Sequence, residues 1–357
     1  MDCTPPENRI ASLFAALSPR EGIPLPGRGQ TLARWQLLSA VAATHGAVVI
    51  KLFEAHADAL AILAEVAHAT AAADTTWAIW AAEPPDARVG MTAMPGEPDE
   101  AQCRLALQAG MAGMAGMAGM AGMAGPLTPV RLHGRKAWCS GAAAVSHALL
   151  TCRDEAGSAR LALIDARAPG VTVTGDGWHA VGMRDTGSGD VLLDDCAALC
   201  IGGPGAYIDR PGFWHGGAGI AACWYGAVTP LARAVRDTVQ RHQNPHAAAH
   251  LGAIDGELRA AAALLRETAA WIDAHPAADA FVPAMRVRAV VEAAARRVMH
   301  RAGNVLGAGP LCRDQRLAQL YADLPVFLRQ SHAERDQAAL GARLADDAGG
   351  PAFEHAL

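Results

Sequence analysis

Residues 132–195 read LHGRKAWCSGAAAVSHALLTCRDEAGSARLALIDARAPGVTVTGDGWHAVGMRDTGSGDVLLDD. Short runs of apolar and β-branched residues alternate here with Gly, Pro and Asp turn signals, which is the pattern of short β-strands. Strands are predicted at 149–152, 161–164, 171–174 and 191–193, with a turn at 132–135 and a hairpin loop at 154–158. Their spacing fits an antiparallel barrel or sandwich. The sequence therefore predicts a small all-β module.

Apolar residues recur at helical spacing on both sides of this module, from 31 to 69 and again in four long stretches after 212. The four later stretches are joined by short loops, which is typical of a helix bundle. We therefore predict an α+β multi-domain chain. Its parts are a shortened N-terminal helical domain at 1–74, a central antiparallel β domain at 75–203, a C-terminal four-helix bundle at 204–345 and a tail at 346–357.

Charge and cysteine usage exclude several classes of function. The formal net charge is −5 and the basic residues are scattered, so neither nucleic acid nor a membrane surface is an expected partner. The N-terminus shows no secretory pattern, which predicts a cytoplasmic protein with reduced thiols. The eight cysteines are interpreted as small buried hydrophobes. The alternative, a metal site, lacks the usual spacing, since Cys196 and Cys200 are four apart and no histidine cluster accompanies them.

A tandem repeat of Met-Ala-Gly occupies residues 110–125. Glycine at this density disfavours a helix, and the prolines of a collagen repeat are missing. We interpret the repeat as a flexible surface insertion between strands without chemistry of its own. A methionine-rich loop that binds metal or contacts a membrane is the alternative.

Several short motifs follow one another along the chain. They are AAEP at 81–84, LHGRKAWCSG at 132–141, PGV at 169–171, Trp178, GMRDTGS at 182–188, the pair Gly307 and Gly309, and Asp323. This set resembles the acyl-CoA dehydrogenase family, whose motifs read A-x-TEP, L-x-G-x-K-x-W-x-(T/S)-(N/G), GMR-x-T-x-S and GGxG…RD. The resemblance covers about residues 31–345.

The resemblance implies FAD bound between the β module and the bundle, in a homodimer or homotetramer whose second subunit completes the site. The residues it assigns to the cofactor are Ala82, Trp138, Ser140, Arg241, Gly307 and Gly309. A tryptophan can stack near the isoalloxazine and a hydroxyl can bond its ring edge. Apart from the resemblance, Trp138 also fits a β-core residue, Ser140 a turn hydroxyl and Arg241 a solvated helix-end cation.

The chain departs from the family pattern at three places. Ala82 replaces a threonine, 86–90 replaces a Gly-Ser-Asp sequence, and Ala322 replaces the arginine before Asp323. Flavin binding is expected in spite of these departures.

Two residues are candidates for the catalytic base. The family reaction removes an α-proton with a partly desolvated carboxylate while a hydride passes to the flavin. Asp209 stands where some family branches have E-R at the start of the bundle; the alternative is a loop aspartate paired with Arg210. His332 stands late in the last predicted helix, on its apolar phase, where Asp336 one turn later can orient it. The alternative there is a core-facing histidine satisfied by a neighbour.

The resulting prediction is an FAD-dependent oxidoreductase acting on the CH–CH group of an acyl thioester or a similar small molecule. One alternative is a monooxygenase of the same fold that uses reduced flavin, with His332 as the base and a flavin reductase or electron-transfer protein as partner. A second alternative is a catalytically silent binding or scaffold member of the family.

Overall fold

The computed structural model describes residues 6–94, 96–111 and 127–346. They divide into two compact units. The β unit holds the described residues of Met1–Ile23, Lys51–His179 and Arg184–Phe213, and the helical unit holds those of Pro24–Ile50, Ala180–Met183 and Trp214–Leu357. The predicted order of N-terminal helices, a central β domain and C-terminal helices is confirmed.

The strands of the β unit form one sheet that closes on itself. They are β1 (Trp77–Trp80), β2 (Val89–Ala93), β3 (Thr128–Lys136), β4 (His147–Arg153), β5 (Ala159–Asp165), β6 (Val171–Val173) and β7 (Val191–Ile201). The ring runs β4, β2, β3, β7, β5 and back to β4, with β1 added beside β4 and β6 beside β7. A barrel is thus the form that the sheet takes. It is not wholly antiparallel, because β1 and β2 both pair with β4 in the parallel sense.

The predicted turn at 132–135 is wrong, because these residues lie inside β3. Gly134 has φ +120° and marks a register shift in the pairing of β3 with β7. A side-chain carbon at Gly134 would also meet the carbonyl oxygen of Arg88. The glycine therefore serves a β-bulge in a long strand, not the end of one. The hairpin loop at 154–158 is confirmed, since Arg153 pairs with Ala159 across it.

Alternate residues of the barrel strands face two apolar clusters. On β4, Ala148, Leu150 and Cys152 belong to one cluster and Leu149 to the other. Met111, the first methionine of the repeat, is buried in the second cluster. The rest of the Met-Ala-Gly prediction lies outside the described residues.

The helices are α1 (Pro6–Leu17), α2 (Thr31–Val66), α3 (Glu100–Gln108), α4 (Gly212–Arg241), α5 (Pro245–Ala274), α6 (Phe281–Leu306), α7 (Ala308–Arg313), α8 (Gln315–Phe327) and α9 (Glu334–Asp346). The first three predicted bundle helices correspond to α4, α5 and α6. The fourth is wrong as a single helix, because α8 ends at Phe327, a short 3-10 turn follows at Leu328–Gln330, and α9 begins at Glu334. Within the described ranges, no helix is both long and apolar enough to cross a bilayer.

The helix α2 is bent at Gly46, whose φ of 88° and ψ of 178° are not helical. In the helical unit, the guanidinium of Arg316 donates to the Ala43 carbonyl at 2.7 Å, three residues before the bend. The start of α2 is held from α5, where Asp273 accepts the Thr31 hydroxyl at 2.6 Å and the Thr31 N–H at 3.0 Å. The helix end therefore has a carboxylate as its cap.

Candidate functional site

The turn that follows β3 carries an exposed tryptophan in an unusual backbone conformation. Trp138 has φ +58° and its side chain is 56% exposed. A bulky residue in the left-handed region costs roughly 1–2 kcal/mol, and such strain is often found at functional sites. The Trp138 carbonyl accepts the Ser140 N–H at 3.0 Å. Trp138 is therefore not the β-core residue of the alternative interpretation.

Two residues after Trp138 along the chain, Ser140 begins a chain of three buried hydroxyls. Ser140 Oγ lies 2.7 Å from Ser188 Oγ, which lies 2.8 Å from Thr186 Oγ1. Their residues are 9%, 5% and 2% exposed. The backbone follows the same path, since the Gly141 N–H donates to the Thr186 carbonyl at 2.8 Å. The two predicted motifs at 132–141 and 182–188 thus meet through their hydroxyl side chains.

The carbonyl of Ser140 also connects this turn to β1, because it accepts Trp80 Nε1–H at 3.2 Å. Ala82, predicted at the cofactor, lies two residues after β1 and is half-buried. Glu83 beside it accepts Arg153 Nε and Nη2 at 3.0 and 2.8 Å. Burial raises the pKa of Glu83, but hydrogen bonds from Thr151 and Arg153 outweigh it and hold that pKa below its usual value. The carboxyl next to Ala82 therefore anchors β1 to β4.

Lys136 lies two residues before Trp138 and is fully buried. Its Nζ donates to the Thr151 carbonyl and hydroxyl, each at 2.7 Å. Burial lowers the pKa of this ammonium to about 8, against the attraction of Glu83. The lysine of the motif therefore joins the end of β3 to β4 inside the barrel.

Asp209 lies on the exposed surface of the loop that follows β7. Its N–H donates to the Gly205 carbonyl at 3.0 Å, and its carboxylate folds back over Gly205. Arg210 pairs with Glu65 on α2 at 2.6 Å, so the alternative pairing of Asp209 with Arg210 is wrong. Glu65 also accepts the Gly212 N–H at 3.0 Å, at the first residue of α4. A carboxylate that the sequence did not indicate therefore holds the loop of Asp209.

His332 lies in the turn before α9 and its side chain is 61% exposed. The prediction that it faces the core from a helix is wrong. Its Nδ1 lies 3.2 Å from Asp336 Oδ1, and its N–H donates to the other oxygen of Asp336 at 3.0 Å. The predicted contact between His332 and Asp336 is therefore present.

The residues just before His332 are anchored to α6. Arg288 donates to the Gln330 carbonyl at 2.8 Å and stacks over the Trp224 ring at 5.0 Å. Glu292, one turn later on α6, pairs with Arg329. Burial raises the pKa of Glu292, but hydrogen bonds from Ser331, Arg329 and Arg296 outweigh it and lower that pKa. The segment 329–331 thus has two charged contacts on one helix face.

The remaining predicted residues of the helical unit lie at two other places. Arg241 is exposed at the end of α4, where its Nε donates to the Asp237 carbonyl at 3.1 Å. Gly307 lies between α6 and α7 with φ +64°, a conformation that favours glycine. A side-chain carbon at Gly307 or Gly309 would meet no described atom within 4 Å. Nothing in this unit explains why position 309 is a glycine.

Gly182 and Asp323, from two separate motifs, contact each other's backbone in the helical unit. Asp323 is buried and accepts the Met183 N–H at 2.6 Å and Gln319 Nε2 at 2.8 Å. A side-chain carbon at Gly182 would overlap the Ala322 carbonyl oxygen. The contact at position 322 is made by the backbone, so the replacement of the family's arginine by alanine leaves this contact intact.

Comparison with known proteins agrees with this geometry. The family profile described as the acyl-CoA dehydrogenase middle domain matches residues 115–196, which include Trp138, Ser140 and Ser188. The central part of this chain is therefore similar to the middle domain of acyl-CoA dehydrogenases. No curated protein sequence matches it.

Solved structures of the same fold cover nearly the whole chain. One is the FMN-bound dibenzothiophene monooxygenase TdsC from Paenibacillus sp. A11-2. It is 15% identical over 96% of both chains, with a TM-score of 0.67. KijD3 in complex with FMN and a dTDP-linked amino-keto sugar is 18% identical over 96% of this chain and 87% of that one, with a TM-score of 0.70. Butyryl-CoA dehydrogenase from Megasphaera elsdenii is 12% identical over 97% and 99%, with a TM-score of 0.69. At these identities the likeness concerns the fold.

Proposed function

We propose that this acyl-CoA dehydrogenase-like chain is a flavin-dependent oxidoreductase. The observation that carries the proposal is the exposed indole of Trp138, on a strained backbone, two residues before the buried Ser140 hydroxyl and within the matched middle domain. A flat apolar ring with a polar group at its edge fits a planar heteroaromatic cofactor. A bound flavin supplies two-electron redox chemistry. FMN in TdsC and KijD3 makes FMN a candidate beside the FAD that the motifs implied.

Of the two reactions open to such a protein, we place monooxygenation first. A carboxylate that takes a carbon-bound proton has to be desolvated to become a sufficient base. Asp209 is exposed, and Arg210 beside it is committed to Glu65. An imidazole exchanges protons near neutral pH even when it is exposed. The pair of His332 and Asp336 therefore suits proton exchange with an oxygenated substrate better than Asp209 suits thioester dehydrogenation.

In this proposal, Asp336 selects the tautomer of His332 that carries the proton on Nδ1. The other ring nitrogen, Nε2, is then the atom that accepts or returns a proton. Glu292 and Arg288 act as positioning residues, because they hold the residues just before His332 against α6. O2, two electrons from a separate reductase and two protons are the co-reactants. One oxygen atom enters the substrate, and the other leaves with the two protons as water.

Dehydrogenation of an acyl thioester is the second candidate, with Asp209 as the base. The fixed loop favours it, since Glu65 binds both Arg210 and the first N–H of α4 and so gives Asp209 a defined position. The α-proton would pass to the carboxylate and a hydride from the β-carbon to the oxidised flavin.

One set of experiments separates these reactions. The purified protein is loaded with FMN and FAD, and its affinity for each is measured in the oxidised and reduced states. If the protein is a monooxygenase, it should bind reduced flavin more tightly than oxidised flavin. In the absence of oxygen, no member of an acyl-CoA panel should then bleach the oxidised flavin. Bleaching by an acyl-CoA, abolished in Asp209→Asn, would instead establish the dehydrogenase. Failure to bind either flavin would leave a silent binding protein.

The role of His332 is tested by the release of hydrogen peroxide from the protein–reduced flavin complex in air. His332→Ala is expected to change this rate roughly tenfold or more, as for loss of a group that holds a proton. His246→Ala is the matched control, because His246 is exposed at the start of α5. Equal rates in the two variants would remove His332 from the mechanism.

A further inference from the structure

The buried hydroxyls of Ser140, Ser188 and Thr186 form a chain in which either oxygen of each pair can be the donor. Each hydroxyl has one proton to donate and lone pairs to accept with. The two links, of 2.7 and 2.8 Å, can therefore run from Ser140 to Thr186 or from Thr186 to Ser140. In the first direction Ser140 offers a lone pair to a neighbour outside the chain. In the second it offers its proton.

We propose that Ser188 is a positioning residue. It lets the Ser140 hydroxyl switch between donating and accepting a hydrogen bond when the redox state of a bound flavin changes. The inference rests on the proposed function, in which Ser140 faces the ring edge. A flavin ring-edge nitrogen is a hydrogen-bond acceptor when oxidised and carries an N–H when reduced. Ser140 must therefore donate to the oxidised ring and accept from the reduced one, and Ser188 permits both arrangements.

The two redox states depend on Ser188 unequally. When Ser140 donates to the oxidised ring, its proton has a partner whether or not Ser188 is present. When Ser140 accepts from the reduced ring, its own proton must pass to Ser188, the hydroxyl that lies 2.7 Å away. Without the Ser188 hydroxyl, that proton is a buried donor with no acceptor. Burying an unpaired donor has a large free-energy cost. Loss of the Ser188 hydroxyl therefore destabilises the reduced complex more than the oxidised one.

The test measures the midpoint potential of the bound flavin by reductive titration against reference dyes. Ser188→Ala is expected to lower the ratio of affinities for reduced and oxidised flavin about tenfold, which is a fall of ~30 mV for a two-electron couple. Ser188→Thr keeps a hydroxyl and should restore the wild-type potential. Ser158→Ala is the matched control, because Ser158 lies in the hairpin loop between β4 and β5.

A double variant tests whether Ser188 acts through Ser140. In the Ser140→Ala background, Ser188→Ala should cause no further change of potential. If Ser188→Ala does not fold, Thr186→Val removes the far hydroxyl while keeping the side-chain shape, and it should also lower the potential.

The outcomes separate the two proposals. A wild-type protein that binds no flavin overturns this inference together with the proposed function. Flavin bound with the same potential in Ser188→Ala and Ser158→Ala, or an equal shift with and without the Ser140 hydroxyl, overturns the inference alone.

Discussion

The contact between Gly182 and α8 gives the sharpest stability prediction. A side-chain carbon at Gly182 would overlap the carbonyl oxygen of Ala322, and it would lie 2.5 Å from that carbonyl carbon and 3.0 Å from the Asp323 nitrogen. All three atoms belong to the backbone of a helix and cannot rotate away. Gly182→Ala must therefore push the segment that carries Met183 away from α8.

The cost has two parts. Overpacking in a close-packed site costs about 1–3 kcal/mol. The displacement also breaks the 2.6 Å hydrogen bond from the Met183 N–H to the buried Asp323 carboxylate, and a bond to a charged group is worth about 1.5–3 kcal/mol. The sum, ~2.5–6 kcal/mol, is a large part of the total stability of an ordinary domain.

Equilibrium unfolding in urea, followed by tryptophan fluorescence and circular dichroism, measures this cost. The control is Gly175→Ala, because Gly175 is exposed and a side-chain carbon there meets nothing within 4 Å. The control should change the free energy of unfolding by no more than about 0.5 kcal/mol. Similar transitions for Gly182→Ala and Gly175→Ala would show that the segment yields freely, and the reasoning would be refuted.

Three further predictions concern single buried or bent positions. Burial lowers the pKa of His147 to about 4. The unfolded state therefore binds this proton more tightly than the folded state does. The free energy of unfolding should fall by up to ~3 kcal/mol as the pH drops from about 6.5 toward 4. His147→Gln should flatten the part of the urea-midpoint profile between pH 4.5 and 6.5, and an unchanged profile would exclude this cause. Burial lowers the pKa of Lys136 to about 8, so the unfolded state binds more protons above that pH and stability should rise from pH 8 to 9. The difference between wild type and Lys136→Met across this range isolates the effect, and a difference independent of pH would contradict it. Gly46→Ala should destabilise the protein by about 1–2 kcal/mol, because φ is 88° at Gly46. The control Gly252→Ala lies within α5 with open space around it and should stabilise the protein by about 1 kcal/mol. If thermal unfolding ranks the two variants the other way, the bend at Gly46 is not the cause.

The parts of the fold that local signals determine could be predicted from the sequence. The Asp-Glu-Ala-Gly-Ser sequence at 154–158 does form the hairpin loop, since tight turns depend on a few adjacent residues. Gly134 misled the prediction, because a glycine can mark a turn or a bulge and only the neighbouring strands β2 and β7 decide between them.

The break between α8 and α9 was missed for a similar reason. The apolar period continues to His332, but Ser331 Oγ accepts the Ala333 N–H and Asp336 accepts the His332 N–H. These bonds hold the backbone of the turn before α9 and compete with a continuous helix. Ser331 and Asp336 are present in the sequence, but periodicity alone favours one helix.

The contact between the two motifs has a similar physical origin. The motif residues Trp138, Ser140 and Ser188 lie together because they belong to segments that join within one barrel. The carboxylate that binds Arg210 comes from Glu65, which lies 145 residues earlier in the chain. No local sequence pattern indicates a partner at that distance. Long-range charge pairs are therefore the part of a site that a single sequence leaves open.

The contacts of Gly182 and of Ser140 bear on two of the departures from the family pattern, Ala322 and Ala82. Ala322 contributes only its carbonyl to the contact with Gly182, so an arginine side chain is not needed there. Ala82 lacks a hydroxyl, which leaves the chain of Ser140, Ser188 and Thr186 to supply the hydroxyl at the proposed ring edge. If that is so, Ala82→Thr should bring a second hydroxyl to the ring and reduce the dependence of the flavin potential on Ser188. A shift in Ser188→Ala that is unchanged by Ala82→Thr would place residue 82 away from the ring.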